Sequence, residues 1–303
     1  EMNDRMTQIQ YTKAIPVKQH YDVIVAGSGP SGICAAVAAA REGVRVALVE
    51  RYGVLGGNLT VGYVGPILGE VAPGGMRDEL LELLGVPNND ILGVVGVAHD
   101  AEKAKRVLIN FVRKANVDVF MQTCVCDVVM DGNVLRGIIV SGKQGMYALT
   151  ADVIIDATGD GDIAYFSGAG YSIGRQQDGL MQPVTLEFTI DNVDESRAIT
   201  CIGEVDDVML GNERFLDFTA RCVREGLLPE VMSSVRLHRT VTPGERRVNT
   251  TQSNGINATD VKDLVKAEVE LRNQIHELVQ FLRKYVPGYE NCRVKSSANT
   301  LGV

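Results

Sequence analysis

Six residues near the N-terminus, Gly27-Ser28-Gly29-Pro30-Ser31-Gly32, have the types and spacing to receive a diphosphate. Gly27 permits a tight turn. Gly29 has no Cβ, so a phosphate can approach the backbone. Gly32 lets a helix pack closely on a strand. The first N–H groups of a helix opening at this turn have no internal partner, and with the helix dipole they favour an anion. Glu50 stands 18 residues beyond Gly32. An acid about 20 residues after such a turn accepts ribose hydroxyls. A carboxylate there repels a 2′-phosphate.

These residues need a strand–turn–helix–strand unit to hold them, and the surrounding pattern supplies it. Tyr21–Ala26 is a short apolar run of the kind that forms a strand buried on both faces. Ile33–Glu42 is Ala-rich and free of helix breakers, and Gly43 suits its C-terminal end. Val44–Val49 is a second apolar run that ends at Glu50. A lone G-x-G-x-x-G is a weak signal, but strand, helix and acid in the right places make it specific. The competing reading is a chance glycine-rich turn in some other α/β protein.

The pattern Gly32-x3-Ala36-x6-Gly43-x2-Val46-x3-Glu50 closely resembles the fingerprint of glutathione-reductase-type flavoproteins, whose dinucleotide is usually FAD. Arg51-Tyr52-Gly53-Val54-Leu55-Gly56-Gly57-Asn58-Leu59-Thr60 resembles the R-x-x-x-L-G-G-x-x-T segment of the FAD-dependent oxidoreductase family within that superfamily. The resemblance implies that Arg51, Gly56, Gly57, Asn58 and Thr60 run along the flavin side of the cofactor. Ala157-Thr158-Gly159-Asp160-Gly161-Asp162 matches the family's A-T-G-D-x-D form. It implies a chain passing close under the cofactor at Ala157, Thr158, Gly159 and Asp162. By the same resemblance Val125, just after Thr123 and Cys124, meets the adenine with a backbone group. For Asp160 and Asp162, turn or helix capping is the alternative.

The fold expected is α/β: a glutathione-reductase-type FAD-binding Rossmann domain with a three-stranded β-meander and an inserted second α+β domain. The expected division is an N-terminal extension over 1–20, the FAD-binding domain over 21–171 and the inserted substrate-type domain over 172–303. Strands are expected at Val117–Met121, Cys124–Met130, Val134–Val140, Tyr147–Ala151 and Val153–Asp156, with turns at Asp131-Gly132-Asn133 and around Gly142. Helices are expected at Met76–Leu84, Ala101–Lys114 capped by Asp100, Asn212–Gly226, and Val261–Tyr285 capped by Asp260. Met181–Ile190 and Arg246–Asn249 read as strands of the second domain. The family's FAD site is completed by a further C-terminal segment. The sequence stops at Leu301-Gly302-Val303, so a partial chain is expected.

What the chain lacks narrows the chemistry. Asn58–Gly69 contains no Cys and no His. That excludes a Cys-x4-Cys dithiol at this place and argues for non-covalent FAD. No second G-x-G-x-x-G marks a nicotinamide domain. The six cysteines form no C-x-x-C pair; Cys124 and Cys126 read as two small buried side chains. Four scattered histidines offer no metal cluster. The formal charge of −8 argues against a nucleic-acid partner. No run of about 20 apolar residues marks a membrane span, and the first twenty residues hold no continuous apolar core of signal-peptide type; a cytoplasmic setting is expected. Arg247 and Asn249 are candidates to bind an acidic or polar substrate, against surface charge on a strand as the plainer reading.

The function expected is therefore FAD-dependent oxidation or reduction of a small molecule, with an unknown electron donor or acceptor. No catalytic acid or base is marked, and the substrate and oligomeric state are not legible. Three alternatives remain: a dinucleotide binder without redox turnover, a flavoprotein acting on RNA, and an NAD binder of the thiazole-synthase kind.

Overall fold

The computed structural model describes residues 9–67, 72–86, 97–200 and 208–303. Strand β1 (Val17–Ala26) leads through the glycine turn into helix α1 (Pro30–Arg41), which is followed by β2 (Val46–Val49). Helix α2 (Met76–Leu84), the short strand β3 (Val97–Ala98) and helix α3 (Ala101–Lys114) come next. Then β4 (Asp118–Phe120), β5 (Cys124–Asp131), β6 (Val134–Gly142) and β7 (Gly145–Asp156) lead to the short helix α4 (Asp162–Ser167).

Six of these strands form one mixed sheet in the order β4-β2-β1-β7-β6-β5. Pairs β1/β2, β1/β7 and β2/β4 are parallel, while β5/β6 and β6/β7 are antiparallel. Because parallel neighbours are buried on both faces, the paired segments Val23–Ala26 and Val46–Val49 are apolar throughout. Val25, Val46 and Leu48 pack under α1 and α3 against Ile33, Val37 and Leu108. Ile24, Ala47 and Val49 join Ile138, Val140 and Leu149 on the other side.

The remaining chain builds a second sheet. It contains β8 (Phe188–Asp191), the two-stranded ribbon β9 (Met209–Leu210) and β10 (Glu213–Arg214), and helix α5 (Phe215–Arg224). Strands β11 (Arg236–Thr240) and β12 (Arg246–Asn249), helix α6 (Val261–Tyr285) and β13 (Arg293–Ser297) complete it. The order of this five-stranded sheet is β13-β8-β12-β11-β3. Strand β3, from between α2 and α3, pairs with β11, so the chain ties the two sheets together.

Side chains on a strand alternate between faces, and here the alternation separates two chemistries. Leu186, Phe188, Leu237 and Val248 face α6, against Leu271 and Leu278. Thr189 is paired in register with Arg247, and Arg247 with His238. These residues, with Glu187, occupy the other, polar face, and all four are buried.

Several boundaries differ from the sequence pattern. Strand β1 starts at Val17 and takes up the last four residues of the stretch expected as an extension, because Val17–His20 pair with Ala148–Thr150. The two runs around Asp152 form one strand, β7, since β1 pairs along both. Val153 is exposed, not buried. Helix α1 opens at Pro30 rather than Ile33, since Pro suits the first helical position. Within Met181–Ile190 only Phe188 onward is regular; Val184 and Thr185 make single bridges to Ser253 and Gly302. The helix expected from Asn212 starts at Phe215, after the hairpin turn at Gly211, where φ is +66°.

Candidate functional site

A cleft of about 330 Å³ opens where β1 and β2 end and α1 begins. Gly27, Gly29, Pro30, Ser31, Glu50, Arg51, Gly57, Asn58, Val125, Ala157, Thr158, Gly159 and Asp162 all line it. So do Ser28, Tyr52, Val61, Thr123, Cys124, Asp160, Thr300 and Leu301, which the sequence pattern did not single out as contacts.

The glycines of the turn have different duties. Gly27 has φ +94°, and a Cβ there would lie 2.2 Å from the Ala157 carbonyl oxygen. A Cβ on Gly32 would lie 1.9 Å from the Gly27 carbonyl oxygen. Both positions are closed by the protein's own backbone. Gly29 differs: its φ of −62° suits any residue, and a Cβ there would meet nothing within 4 Å. The space beside it is therefore left by the absent side chain. No side chain caps α1, and no acidic residue stands in its first turn. Its opening N–H groups are thus available to an anion at the cleft.

Glu50 is buried at the end of β2. Its Oε2 accepts from Ser28 N at 2.9 Å and Ser28 Oγ at 2.5 Å, and Oε1 accepts from Tyr52 N at 2.8 Å. A carboxylate offers roughly four lone-pair sites, so Oε1 retains room for one more donor, such as a hydroxyl. Ser28 was legible only as the middle residue of G-x-G; its hydroxyl matters because β1 and β2 are neighbours.

Gly32, Gly56 and Thr60 do not reach the cleft. Gly32 serves the contact between α1 and β1. Gly56 takes φ +116° and donates to the Ser28 carbonyl at 2.9 Å. Thr60 turns inward, donating from Oγ1 to the Leu55 carbonyl at 2.7 Å. Gly57, beside them, packs on the turn itself: a Cβ would lie 2.9 Å from Gly29 Cα.

At the end of β7, Asp156 accepts from Thr158 N, Thr158 Oγ1 and Ala164 N. Thr158 Oγ1 accepts in turn from Asp162 N at 2.9 Å. Asp156 and Thr158 thus satisfy the opening of α4, and Asp160 and Asp162 are left beside the cleft. Burial, then the neighbouring Asp160, raises the Asp162 carboxyl above its ordinary range, with Arg51 working against them. Cys124 is exposed to the cleft rather than buried. Strand β5 lies at the sheet edge, and its register shifts between Val125 and Asp127.

Arg247 is not surface charge: it is 3% exposed. Its Nε donates to Thr189 Oγ1 at 2.9 Å, its Nη1 donates to the Tyr63 carbonyl, and its guanidinium lies 4.7 Å from the Tyr63 ring centre. It lines a separate cavity of about 40 Å³ with His99, Asp100, Glu245 and Lys295. Asn249 lines neither cavity. Glu187 is buried beside Arg247, with no hydrogen-bond partner for Oε2. Burial pushes its carboxyl up to about 8, although Arg247 pulls the other way.

The model of the FAD dependent oxidoreductase family matches residues 22–303. The chain belongs to this family. FAD is accordingly its cofactor, and the cleft fits that group: bare backbone at Gly29 for the diphosphate, and Glu50 for a ribose. Thiamine thiazole synthase of Aeropyrum pernix is 30% identical over 176 residues, covering 51% of this chain and 63% of that protein. The chain thus spans less than two thirds of that relative. Two solved structures share the fold over 94% of the chain. A geranylgeranyl bacteriochlorophyll reductase-like protein from Thermoplasma acidophilum has a TM-score of 0.55 at 17% identity, with 66% of its own chain covered. p-Nitrophenol 4-monooxygenase from Pseudomonas putida has 0.57 at 15%, with 67% covered.

Proposed function

We propose that the protein transfers electrons between a small-molecule substrate and non-covalent FAD, on a glutathione-reductase-type scaffold. Residues 21–171 then form the FAD-binding domain, with β5, β6 and β7 as its meander, and 172–303 the substrate-side domain. The single observation that carries the reading is the vacant Cβ position of Gly29 at an uncapped helix start, in the cleft that Glu50 also lines.

Bound FAD supplies the redox chemistry by accepting or giving up a hydride equivalent. The chain's own residues bind and orient. The turn Gly27–Gly32 and the start of α1 hold the diphosphate. Glu50, fixed by Ser28 and Tyr52, holds a ribose hydroxyl. Val125 and Thr123 border the adenine end, and Gly57, Asn58 and Val61 run toward the flavin. Arg51 offsets the charge of Asp162. Arg247 is the stronger substrate-side candidate, because it lines a cavity and Asn249 does not. Among the described residues no helix is long and apolar enough to cross a membrane, and the charge of −8 favours a small molecule over nucleic acid.

The identity to thiamine thiazole synthase keeps a second reading in view, a chain that binds NAD at the same turn. Mass spectrometry of the supernatant after denaturation separates the two: FAD is expected, and NAD in its place defeats the flavin reading. The complementary test is Gly29→Val. Flavin content falls to background while the melting temperature of the flavin-free protein holds; a variant that keeps its flavin removes the diphosphate from this turn.

A further inference from the structure

We propose that His99 is a positioning residue of the flavin site, setting the turn Gly57–Leu59 along the cleft through the Leu59 carbonyl. The inference rests on the FAD reading of that cleft. His99 is fully buried and follows β3, one residue before the cap of α3. Its Nε2 lies 2.7 Å from the Leu59 carbonyl oxygen and its Nδ1 2.8 Å from that of Gly65. The ring therefore touches both ends of the segment that leaves the cofactor cleft. That segment begins in the short helical turn Gly57–Leu59, and Gly57, Asn58 and Val61 line the cleft.

Other groups already fix the far half of the segment. Arg247 donates to the Tyr63 carbonyl, and Asn299 N donates to the Val61 carbonyl at 2.8 Å. A Cβ on Gly65 would lie 2.4 Å from Ala98 Cβ, so that end is wedged against β3. The near half is held by backbone bonds such as Gly56 N to the Ser28 carbonyl and Val64 N to the Asn58 carbonyl, and His99 adds the side-chain contact on the Leu59 carbonyl. Two carbonyls facing both ring nitrogens favour the doubly protonated ring, but burial is the larger influence and holds His99 below the ordinary histidine range. A ring with one N–H serves one carbonyl. We place that proton on Nε2, facing the Leu59 carbonyl, and the two variants below test the placement.

Two amide variants divide the contacts. His99→Gln extends an N–H toward the Nε2 position and keeps the Leu59 bond. His99→Asn reaches only the Nδ1 position and loses it. FAD is titrated into each flavin-free protein, and the melting temperature is recorded without FAD as a measure of folding alone. The expected result is wild-type FAD affinity for His99→Gln and about tenfold weaker binding, with a shifted flavin absorption band, for His99→Asn. Equal affinity in both variants, or the reverse order, overturns the inference even when both melt lower. A wild type that takes up no FAD overturns the cofactor reading as well, which separates the two failures.

Discussion

The two sheets handle polar chemistry in opposite ways. Where β1 and β2 of the six-stranded sheet end, the cleft is built from backbone, with Glu50 as its one buried acid, held by three hydrogen bonds from two residues. On the polar face of the five-stranded sheet, side chains carry the polarity: Glu187, Arg247 and His238 are buried together, and Glu187 Oε2 has no partner. The first arrangement is satisfied within the protein and leaves its vacancy for a ligand. The second tolerates incomplete satisfaction, which costs stability and recurs where function constrains the chain.

The sharpest way to break this contrast is to add the same atoms at two glycines of one turn. Gly32→Ala puts its Cβ 1.9 Å from the Gly27 carbonyl oxygen, which cannot move without pulling β1 from its neighbours. A loss of about 3 kcal/mol or more in unfolding free energy is expected, with little soluble protein. Gly29→Ala points into open space and leaves the urea midpoint where it was. Equal destabilisation of the two would mean that Gly29, too, serves packing rather than a ligand.

The same contrast explains what the sequence made legible. The turn, α1, β2 and Glu50 lie within one local pattern, so glycine spacing and apolar runs suffice to place them. Thr300 and Leu301 reach the same cleft from the other end of the chain, Thr300 accepting from the Tyr52 hydroxyl at 3.0 Å. No local spacing records that approach. Arg247 misled for a related reason. An arginine on a short strand looks the same whether its face meets water or a covering loop, and the cover here comes from Tyr63 and Gly65 far upstream. Thr60 was matched by its place in a motif, but its hydroxyl closes a turn inside the loop.

Arg247 gives the next largest effect. Arg247→Met preserves much of the volume but removes the donors to the Tyr63 carbonyl and the Thr189 hydroxyl in a buried place. A loss of about 2–4 kcal/mol is expected from urea unfolding. A change within experimental error would show that water replaces the guanidinium, and that this face is open in solution.

A charge-removing substitution separates the two buried acids most cleanly. Glu50→Gln turns one acceptor oxygen into a donor facing Ser28 or Tyr52, and costs about 1–3 kcal/mol. Glu187→Gln has the opposite sign. The Glu187 carboxyl titrates near 8 in the folded protein, against an ordinary value of 4.5. Between those values the unfolded chain has released the proton and the folded chain has kept it. Stability from this group is therefore complete at acid pH and declines as pH rises toward 8, by at most about 1.4 kcal/mol per pH unit. Above 8 both states are ionised and the decline stops. Glutamine carries no such proton, so the variant's unfolding free energy should fall less steeply from pH 5 to 8 and exceed the wild type's at the upper end. Parallel pH profiles for the two proteins would show that Glu187 is already ionised at neutral pH, paired with Arg247, and would give the second sheet the same internal satisfaction as the first.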